Sequence, residues 1–318
     1  LYDPIPFKSP CYNPSLHPPP TSSPSSLTRS RSSLLWRPKR GKLTRDPLSS
    51  FAGVMKYIQL ICGPAGSGKT TYVTSLSNLT LQGSARRTVY CANLDPGCDS
   101  YTYDAAFDVR ELVGVEDVME ELEMGPNGAT IYCHEYLLEN VDWLQDKLEE
   151  FPEDAYIVLD CCGQIELYTH LDVMQRLVSS LTSFGCSVVA LFLVDATFVA
   201  DAGKFISGSL LSLSCMLKLE LPHVNVLTKC DLLPEGEVDR ILDMKSASAV
   251  ELPSRNPVLN GLTRALQEII DDFSQVAFLP LNLKEEGSLE LVLEHADHAL
   301  QWGEGRDVEV NEDLFGEG

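Results

Sequence analysis

The 318-residue chain is long enough for one large domain or two small ones, and its 44% hydrophobic content is ample for a packed core. The formal net charge is −22; residues 1–54 carry +6, so the remaining 264 residues carry −28. A folded part this negative argues against direct nucleic-acid binding, and the lack of any run of eighteen apolar residues argues against a membrane span.

The two ends of the chain differ in composition from the rest. Residues 1–54 are rich in Ser, Pro and Arg, poor in acids and without periodicity, which predicts disorder. Because Met55 stands just before the first strand, we expect the folded domain to span residues 55–303 and the preceding segment to be a mispredicted leader. An organelle transit peptide is the alternative, although the many prolines fit one less well. Residues 304–318 form an acidic segment that we expect to be flexible.

From Met55 onward, apolar runs alternate with amphipathic stretches, a pattern typical of β-α-β units. Strands are predicted at 57–62, 88–94, 155–159, 187–194, 223–227 and 276–281. Helices are predicted at 70–79, 165–184, 198–218, 260–273 and 288–302. Residues 105–150 instead show two helical patterns, 115–124 and 136–151, separated by Gly-Pro-Asn-Gly. The sequence therefore predicts an α/β domain with a mostly parallel sheet, helices on both faces and a helical insertion.

The stretch YIQLICGPAGSGKT, residues 57–70, joins a buried strand to a turn that matches GxxxxGK[ST]. Backbone N–H groups of such a loop point at phosphate oxygens, toward which the next helix presents its positive end. Lys69 would reach the β and γ phosphates, and the Thr70 hydroxyl would bind Mg²⁺. A chance match is the alternative, against which the flanking strand and helix argue. The nucleotide-binding candidates here are Gly63, Pro64, Ala65, Gly66, Ser67, Gly68, Lys69, Thr70 and Thr71.

Two further strands end in an aspartate. The motif NLDP places Asp95 at the carboxyl end of a strand, where ligands bind in open α/β sheets, so Asp95 would position water or Mg²⁺. An aspartate that only caps the turn is the alternative. The sequence YIVLDCCGQIE contains DxxGQ, which in P-loop GTPases gives a metal ligand, a γ-phosphate amide and a water-positioning glutamine. The matching residues are Asp160, Gly163 and Gln164.

The strand HVNVL is followed by Thr228-Lys229-Cys230-Asp231, which resembles the guanine-recognition motif [N/T]KxD. In that motif the aspartate accepts from two guanine N–H donors and the lysine stem covers the base. Adenine would leave the carboxylate unpaired, so the sequence predicts GTP rather than ATP. A solvated charged turn is the alternative for the tetrapeptide alone. The loop nearest the base is expected near residues 281–283.

Together, GPAGSGKT, NLDP, GPNG, DCCGQIELY and TKCD resemble the GPN-loop GTPases, over residues 55 to about 310. The resemblance implies a SIMIBI-class P-loop NTPase fold, GTP and GDP as ligands and Mg²⁺ as cofactor. It also implies dimers in which the Gly-Pro-Asn loop reaches toward the partner's γ-phosphate site. Gly125, Pro126 and Asn127 match that loop, which the residues alone indicate only as a helix-ending turn.

Carried over by position, the resemblance implies water-positioning roles for Asp95, Gln164 and Glu166, a catalytic role for Asn127, and metal ligation by Thr70 and Asp160. Its implied biology is RNA polymerase II assembly and nuclear import, in a heterodimer with the family's first paralogue or a homodimer. A cytoplasmic protein that shuttles to the nucleus would fit that role.

The sequence departs from the family pattern at two positions. Cys162 stands where proline is usual, which loosens the turn but keeps the Gly163 amide. Thr228 replaces a commoner asparagine, and we expect this change to cost a side chain that ties loops together.

The sequence as a whole predicts a slow, Mg²⁺-dependent GTPase that switches dimer conformation. A scaffold that holds GTP without turnover is the alternative, against which Gln164 and Glu166 argue. A P-loop phosphotransferase such as a polynucleotide kinase is a second alternative, and the guanine motif and the negative charge count against it.

Overall fold

The computed structural model describes residues 55–81, 87–199, 202–234, 236, 238, 257–272, 277–285 and 287–303. Predictions for residues 1–54 and 304–318 lie outside these ranges. The strands are β1 (Lys56–Cys62), β2 (Val89–Asn93), β3 (Ala105–Asp108), β4 (Tyr156–Asp160), β5 (Cys186–Asp195), β6 (His223–Thr228) and β7 (Phe278–Pro280). They form one sheet in the order β3-β2-β4-β1-β5-β6-β7, with every neighbouring pair parallel.

Helices cover both faces of this sheet. They are α1 (Lys69–Leu81), α2 (Val115–Leu122), α3 (Pro126–Glu139), α4 (Val141–Glu149), α5 (Glu166–Thr169), α6 (Val173–Ser183), α7 (Ala196–Val199), α8 (Ala202–Leu219), α9 (Pro257–Asp272) and α10 (Ser288–Leu300). None of the helices described is long and apolar enough to cross a membrane.

The central strand β1 contributes side chains to both faces because successive residues of a strand point to opposite sides. Ile58 and Leu60 join a core cluster with buried residues of α3, α4, α6 and α8. Ile61 joins a second cluster with α1 and α10. The predicted α/β fold, with a parallel sheet between two helical layers, is confirmed.

One strand was missed by sequence analysis, which assigned only helical patterns to residues 105–150. The structure places β3 at the edge of the sheet, paired with β2. Its four residues are too few to show alternation, and side-chain contacts help to hold it. Asn93 Nδ2 donates to Asp108 Oδ1 at 3.0 Å, and Tyr101 Oη donates to Asp108 Oδ2 at 2.6 Å.

Three predicted helices are interrupted. The predicted helix 165–184 divides into α5 and α6, since the N–H groups of His170 and Leu171 both donate to Glu166 O and end α5. The pattern 136–151 divides between α3 and α4 at Asn140, whose Nδ2 donates to Tyr136 O at 2.8 Å. The predicted helix 198–218 corresponds to α7 and α8, and residues 200 and 201 between them lie outside the described ranges.

The Gly-Pro-Asn-Gly segment begins a helix rather than ending one. Gly125 is the N-cap residue of α3, with φ −75° and ψ 161°, and Pro126 is the first helical residue. Proline suits that position because its fixed φ is helical and its missing N–H is not needed there. The interpretation as a helix-ending turn, taken from the residues alone, was therefore wrong.

Candidate nucleotide site

The candidate site lies where the strands end. Because all the strands are parallel, their carboxyl ends meet at one edge of the sheet, where open α/β sheets bind ligands. The glycine-rich loop follows β1, and the NLDP turn follows β2. The DxxGQ turn follows β4, and the TKCD turn follows β6. The fold thus brings four separate sequence motifs to one place.

The glycine-rich loop needs its glycines for space as well as for backbone conformation. Gly63 has φ +138°, and a Cβ there would lie 2.4 Å from Leu193 O. Gly66 and Gly68 also have positive φ, a conformation that favours glycine. Lys69 Nζ donates to the carbonyl oxygens of Gly63 and Pro64, both at 3.1 Å. The lysine side chain therefore folds back along the loop.

Two other turns are attached directly to this loop. A Cβ on Gly163 would lie 2.8 Å from Cα and 2.9 Å from N of Ala65, so the DxxGQ turn abuts the loop. The Thr228 hydroxyl donates to Ser67 O at 2.6 Å and to Val194 O at 3.2 Å. The expectation that threonine here would cost a loop-tying side chain was wrong, because the Thr228 hydroxyl itself ties the TKCD turn to the glycine-rich loop.

Asp160 has the properties of a cation ligand. Its side chain is buried at the end of β4, and Tyr103 Oη donates to Oδ2 at 3.2 Å. The other oxygen, Oδ1, is buried without a hydrogen-bond partner within the described residues. Burial raises the pKa of Asp160 to about 6, opposed by the Thr70 hydroxyl and the Lys69 ammonium. A buried carboxylate oxygen beside a hydroxyl fits a hard divalent cation, which prefers oxygen ligands.

Asp95 takes part in the turn that it begins. Its Oδ1 accepts from the N–H of Gly97 at 3.0 Å, and its own N–H donates to Asn93 Oδ1 at 3.1 Å. The turn-capping role that sequence analysis left as the alternative is therefore present. Its charge also raises the pKa of Asp160, so the carboxylate lies close to the candidate cation ligand. Capping through one oxygen is compatible with orienting water through the other.

The Gly-Pro-Asn segment meets the DxxGQ turn within one chain. Gln164 Nε2 donates to Asn127 Oδ1 at 3.3 Å, at the surface. Gly125, Pro126 and Glu166 are also exposed. The structure therefore brings Asn127 to Gln164 and leaves this side of the site open to solvent.

A cavity of about 270 Å³ lies beside the loop, at the TKCD turn. Its lining residues are Gly68, Thr71, Tyr72, Thr228, Lys229, Asp231, Leu232, Leu281, Leu283 and Lys284. The loop expected nearest the base, residues 281–283, supplies two of them. Sequence analysis missed Tyr72, Leu232 and Lys284, none of which belongs to a recognised motif.

Charged groups at the cavity are paired. Lys229 Nζ bonds to Asp195 Oδ2 at 2.8 Å, and Asp231 Oδ2 bonds to Lys284 Nζ at 2.7 Å. Burial raises the pKa of Asp195, but hydrogen bonds from Lys229 and Thr197 outweigh it and give a net lowering. Sequence analysis also missed Asp195, although it ends a strand just as Asp160 does.

The chain is similar in sequence to a described protein family and to curated proteins. A family described as "conserved hypothetical ATP binding protein" matches residues 61–302. GPN-loop GTPase 3 of Dictyostelium discoideum is 43% identical over 263 residues, which cover 81% of this chain and 90% of that protein. GPN-loop GTPase 3 of Saccharomyces cerevisiae is 40% identical over 258 residues, covering 78% and 93%.

A crystal structure of a GTPase in apo form from Pyrococcus abyssi is similar in fold, with a TM-score of 0.60 at 24% identity. The match covers 75% of this chain and 97% of that one. With identities of 40% or more over nearly the whole length of curated relatives, the chain belongs to the GPN-loop GTPase family.

Proposed function

We propose that the protein binds GTP and hydrolyses it to GDP and phosphate. One observation carries this proposal: the DxxGQ turn and the TKCD turn are both attached to the glycine-rich loop. Gly163 abuts Ala65, and Thr228 donates to Ser67 O. A phosphate cradle, a γ-phosphate turn and a guanine-recognition turn are thereby fixed relative to one another, as GTP hydrolysis requires.

The base preference follows from Asp231, which lines the cavity beside the loop. A carboxylate accepts from the two N–H donors of guanine, whereas adenine lacks that pair of donors. The description of the matching family model names ATP, but the TKCD turn of this chain favours guanine. GTP is therefore the proposed substrate.

Phosphate binding, water orientation and metal binding are each assigned to particular groups. Lys69 and the backbone N–H groups of the loop would bind the phosphates, and the Gly163 amide would bind the γ-phosphate. Asp95, Gln164 and Glu166 would orient the attacking water. Thr70 and Asp160 would hold Mg²⁺, which when bound neutralises phosphate charge. Asp160 Oδ1, which is buried without a hydrogen-bond partner among the residues that the structure describes, supports that assignment.

The variant Gln164→Leu tests the catalytic assignment. We name the cavity beside the TKCD turn, where Asp231 is proposed to bind guanine, the base cavity. We expect GDP affinity to stay within about twofold of wild type, since Gln164 does not line this cavity. We expect GTP turnover to fall roughly a hundredfold, because the attacking water loses its orientation. Gln145→Leu is the matched control, since Gln145 is partly exposed on α4, where its Nε2 donates to Glu149 Oε1 at 2.9 Å.

Turnover by Gln164→Leu at the wild-type rate would reject this role for the glutamine. Wild-type protein that binds GTP but does not turn it over would instead favour the scaffold alternative. The two results are distinguishable, because affinity and turnover are measured on the same samples.

We further propose that the protein works as a dimer, with the family's first paralogue or a second copy of itself. Exposed apolar side chains near the Gly-Pro-Asn segment, Leu122, Met124 and Tyr132, support a partner surface there. A role in RNA polymerase II assembly and nuclear import, and a cytoplasmic location with shuttling to the nucleus, rest on family resemblance. Light scattering would show about twice the mass of one chain, in the protein alone if it forms homodimers and only after mixing with the first paralogue if it forms heterodimers.

A further inference from the structure

The Asp231 carboxylate at the base cavity already forms a salt bridge with a lysine, Lys284. Lys284 Nζ lies 2.7 Å from Asp231 Oδ2, and both residues line the cavity. The Lys284 ammonium lowers the pKa of Asp231, so the carboxylate is held ionised. Lys284 is 73% exposed, which leaves its ammonium accessible to a ligand that enters the cavity.

The position of Lys284 is set by backbone contacts. Its N–H donates to Asn282 Oδ1 at 3.0 Å, and the N–H of Asn282 donates to Ser288 Oγ at 2.9 Å. Leu281 N donates to Leu227 O at 2.8 Å, which ties the start of this turn to β6. The turn that carries Lys284 is therefore fastened to the same strand that carries the TKCD turn.

The other lysine of the cavity has a different partner. Lys229 Nζ bonds to Asp195 Oδ2 at 2.8 Å, so its ammonium is directed to the end of β5. Its apolar stem remains for the face of a base. Of the described residues that line this cavity, Lys284 is the one whose ammonium pairs with Asp231.

The edge of guanine matches this ion pair. Its N1–H and N2–H₂ groups donate to a carboxylate, and its carbonyl O6 stands next to N1. A cation bonded to one oxygen of that carboxylate is therefore well placed to meet O6. Adenine presents an amino donor at the corresponding position, which an ammonium group cannot accept.

We propose that Lys284 is a specificity-determining residue that donates to guanine O6 while it remains paired with Asp231. The ion pair then contacts three groups of the base edge: Asp231 accepts from the two N–H donors, and Lys284 donates to O6. This inference rests on the proposed GTP function and names one more residue that selects the base.

The test compares two nucleotides that differ at the atom in question. GDP and 6-thio-GDP share both N–H donors, but the sulfur of 6-thio-GDP is a weak acceptor. Their affinities are measured by calorimetry on the full chain as wild type, Lys284→Met and Lys147→Met. Neither Lys147 nor its partner Glu111 lines the cavity, so Lys147→Met controls for the loss of one paired lysine.

We expect Lys284→Met to weaken GDP binding about tenfold, the usual effect of losing a hydrogen bond to a charged group. We expect it to change 6-thio-GDP binding by less than about twofold, and Lys147→Met to change neither. Equal losses for both nucleotides would overturn the contact with O6. Tighter GDP binding by Lys284→Met would also overturn it, since Lys284 would then compete with guanine for Asp231. Wild type that does not prefer GDP to ADP would reject the proposed function itself.

Discussion

The DxxGQ turn reaches the glycine-rich loop because residue 163 has no side chain. A Cβ there would lie within 3.0 Å of three atoms of Ala65, two of them backbone atoms that cannot move without moving the loop. The sequence predicts Gly163 as a source of a backbone amide. The structure adds that the same glycine sets the distance between the DxxGQ turn and the glycine-rich loop.

Gly163→Ala should therefore weaken nucleotide binding while leaving the fold intact. We expect GDP affinity to fall at least about tenfold, because the phosphate loop must shift to admit the methyl group. Gly128→Ala is the control, since a Cβ on this exposed glycine meets nothing within 4 Å. Calorimetric titration of both variants measures the difference. GDP binding by Gly163→Ala at wild-type strength would contradict the close packing described for the turn.

A sequence motif does not predict all the contacts that its residues make in the fold. The TKCD motif identifies the type of turn, but it does not reveal that the Thr228 hydroxyl binds Ser67 O. The contact spans 161 positions in sequence, so only the fold brings the two groups together. For the same reason Lys284 was missed, although it directly follows the loop expected near the base.

At the scale of elements, α10 is fastened to the sheet through a nearly buried ion pair. Arg87 and Asp297 form a salt bridge, with side chains 12% and 15% exposed. The Arg87 guanidinium also lies 3.5 Å from the centre of the Trp302 ring. Tyr156 Oη donates to Asp297 Oδ1 at 2.9 Å, which extends the contact into β4.

This contact continues through the core as a chain of hydrogen bonds. Gln59 Nε2 donates to Tyr156 Oη at 2.6 Å, and Tyr72 Oη donates to Gln59 Oε1 at 3.1 Å. Tyr72 lies on α1 and lines the base cavity. The helix that begins at the phosphate loop and the last helix are thus joined across β1 and β4.

Asp297→Ala should destabilise the protein strongly, because it leaves the Arg87 charge buried without its partner. We expect the free energy of unfolding to fall by about 3 kcal/mol, measured from urea denaturation. Asp172→Ala is the control, since it breaks the ion pair with Lys218 at a carboxylate that is 69% exposed. We expect the free energy of unfolding of that variant to be close to that of wild type. Equal losses in the free energy of unfolding of both variants would show that the buried ion pair does not fasten α10.

Elements with strong periodicity were predicted from sequence, and those governed by local contacts were not. The apolar runs of β1, β4 and β5 are long enough to be recognised. The edge strand β3 has four residues and depends on contacts of Asp108 with Asn93 and Tyr101. The start of α3 at Pro126 was readable in principle, because proline favours the first helical position.

At the scale of the whole molecule, function depends on a parallel sheet that gathers separate turns at one edge. The alternation of strands and helices predicts such a sheet, and the end of each strand then predicts where the motifs meet. The sequence cannot predict how far each turn lies from the next. That spacing is set by contacts such as Gly163 with Ala65, and by the turn that carries Lys284.

Nucleotide turnover by the full wild-type chain is the decisive test of the assigned site. Phosphate release from GTP and from ATP is measured with Mg²⁺ and again after its removal with a chelator. We expect slow GTP hydrolysis that requires Mg²⁺, with ATP hydrolysis at background. Release from ATP as fast as from GTP, or GTP hydrolysis that is unaffected by the chelator, would contradict the site assigned here.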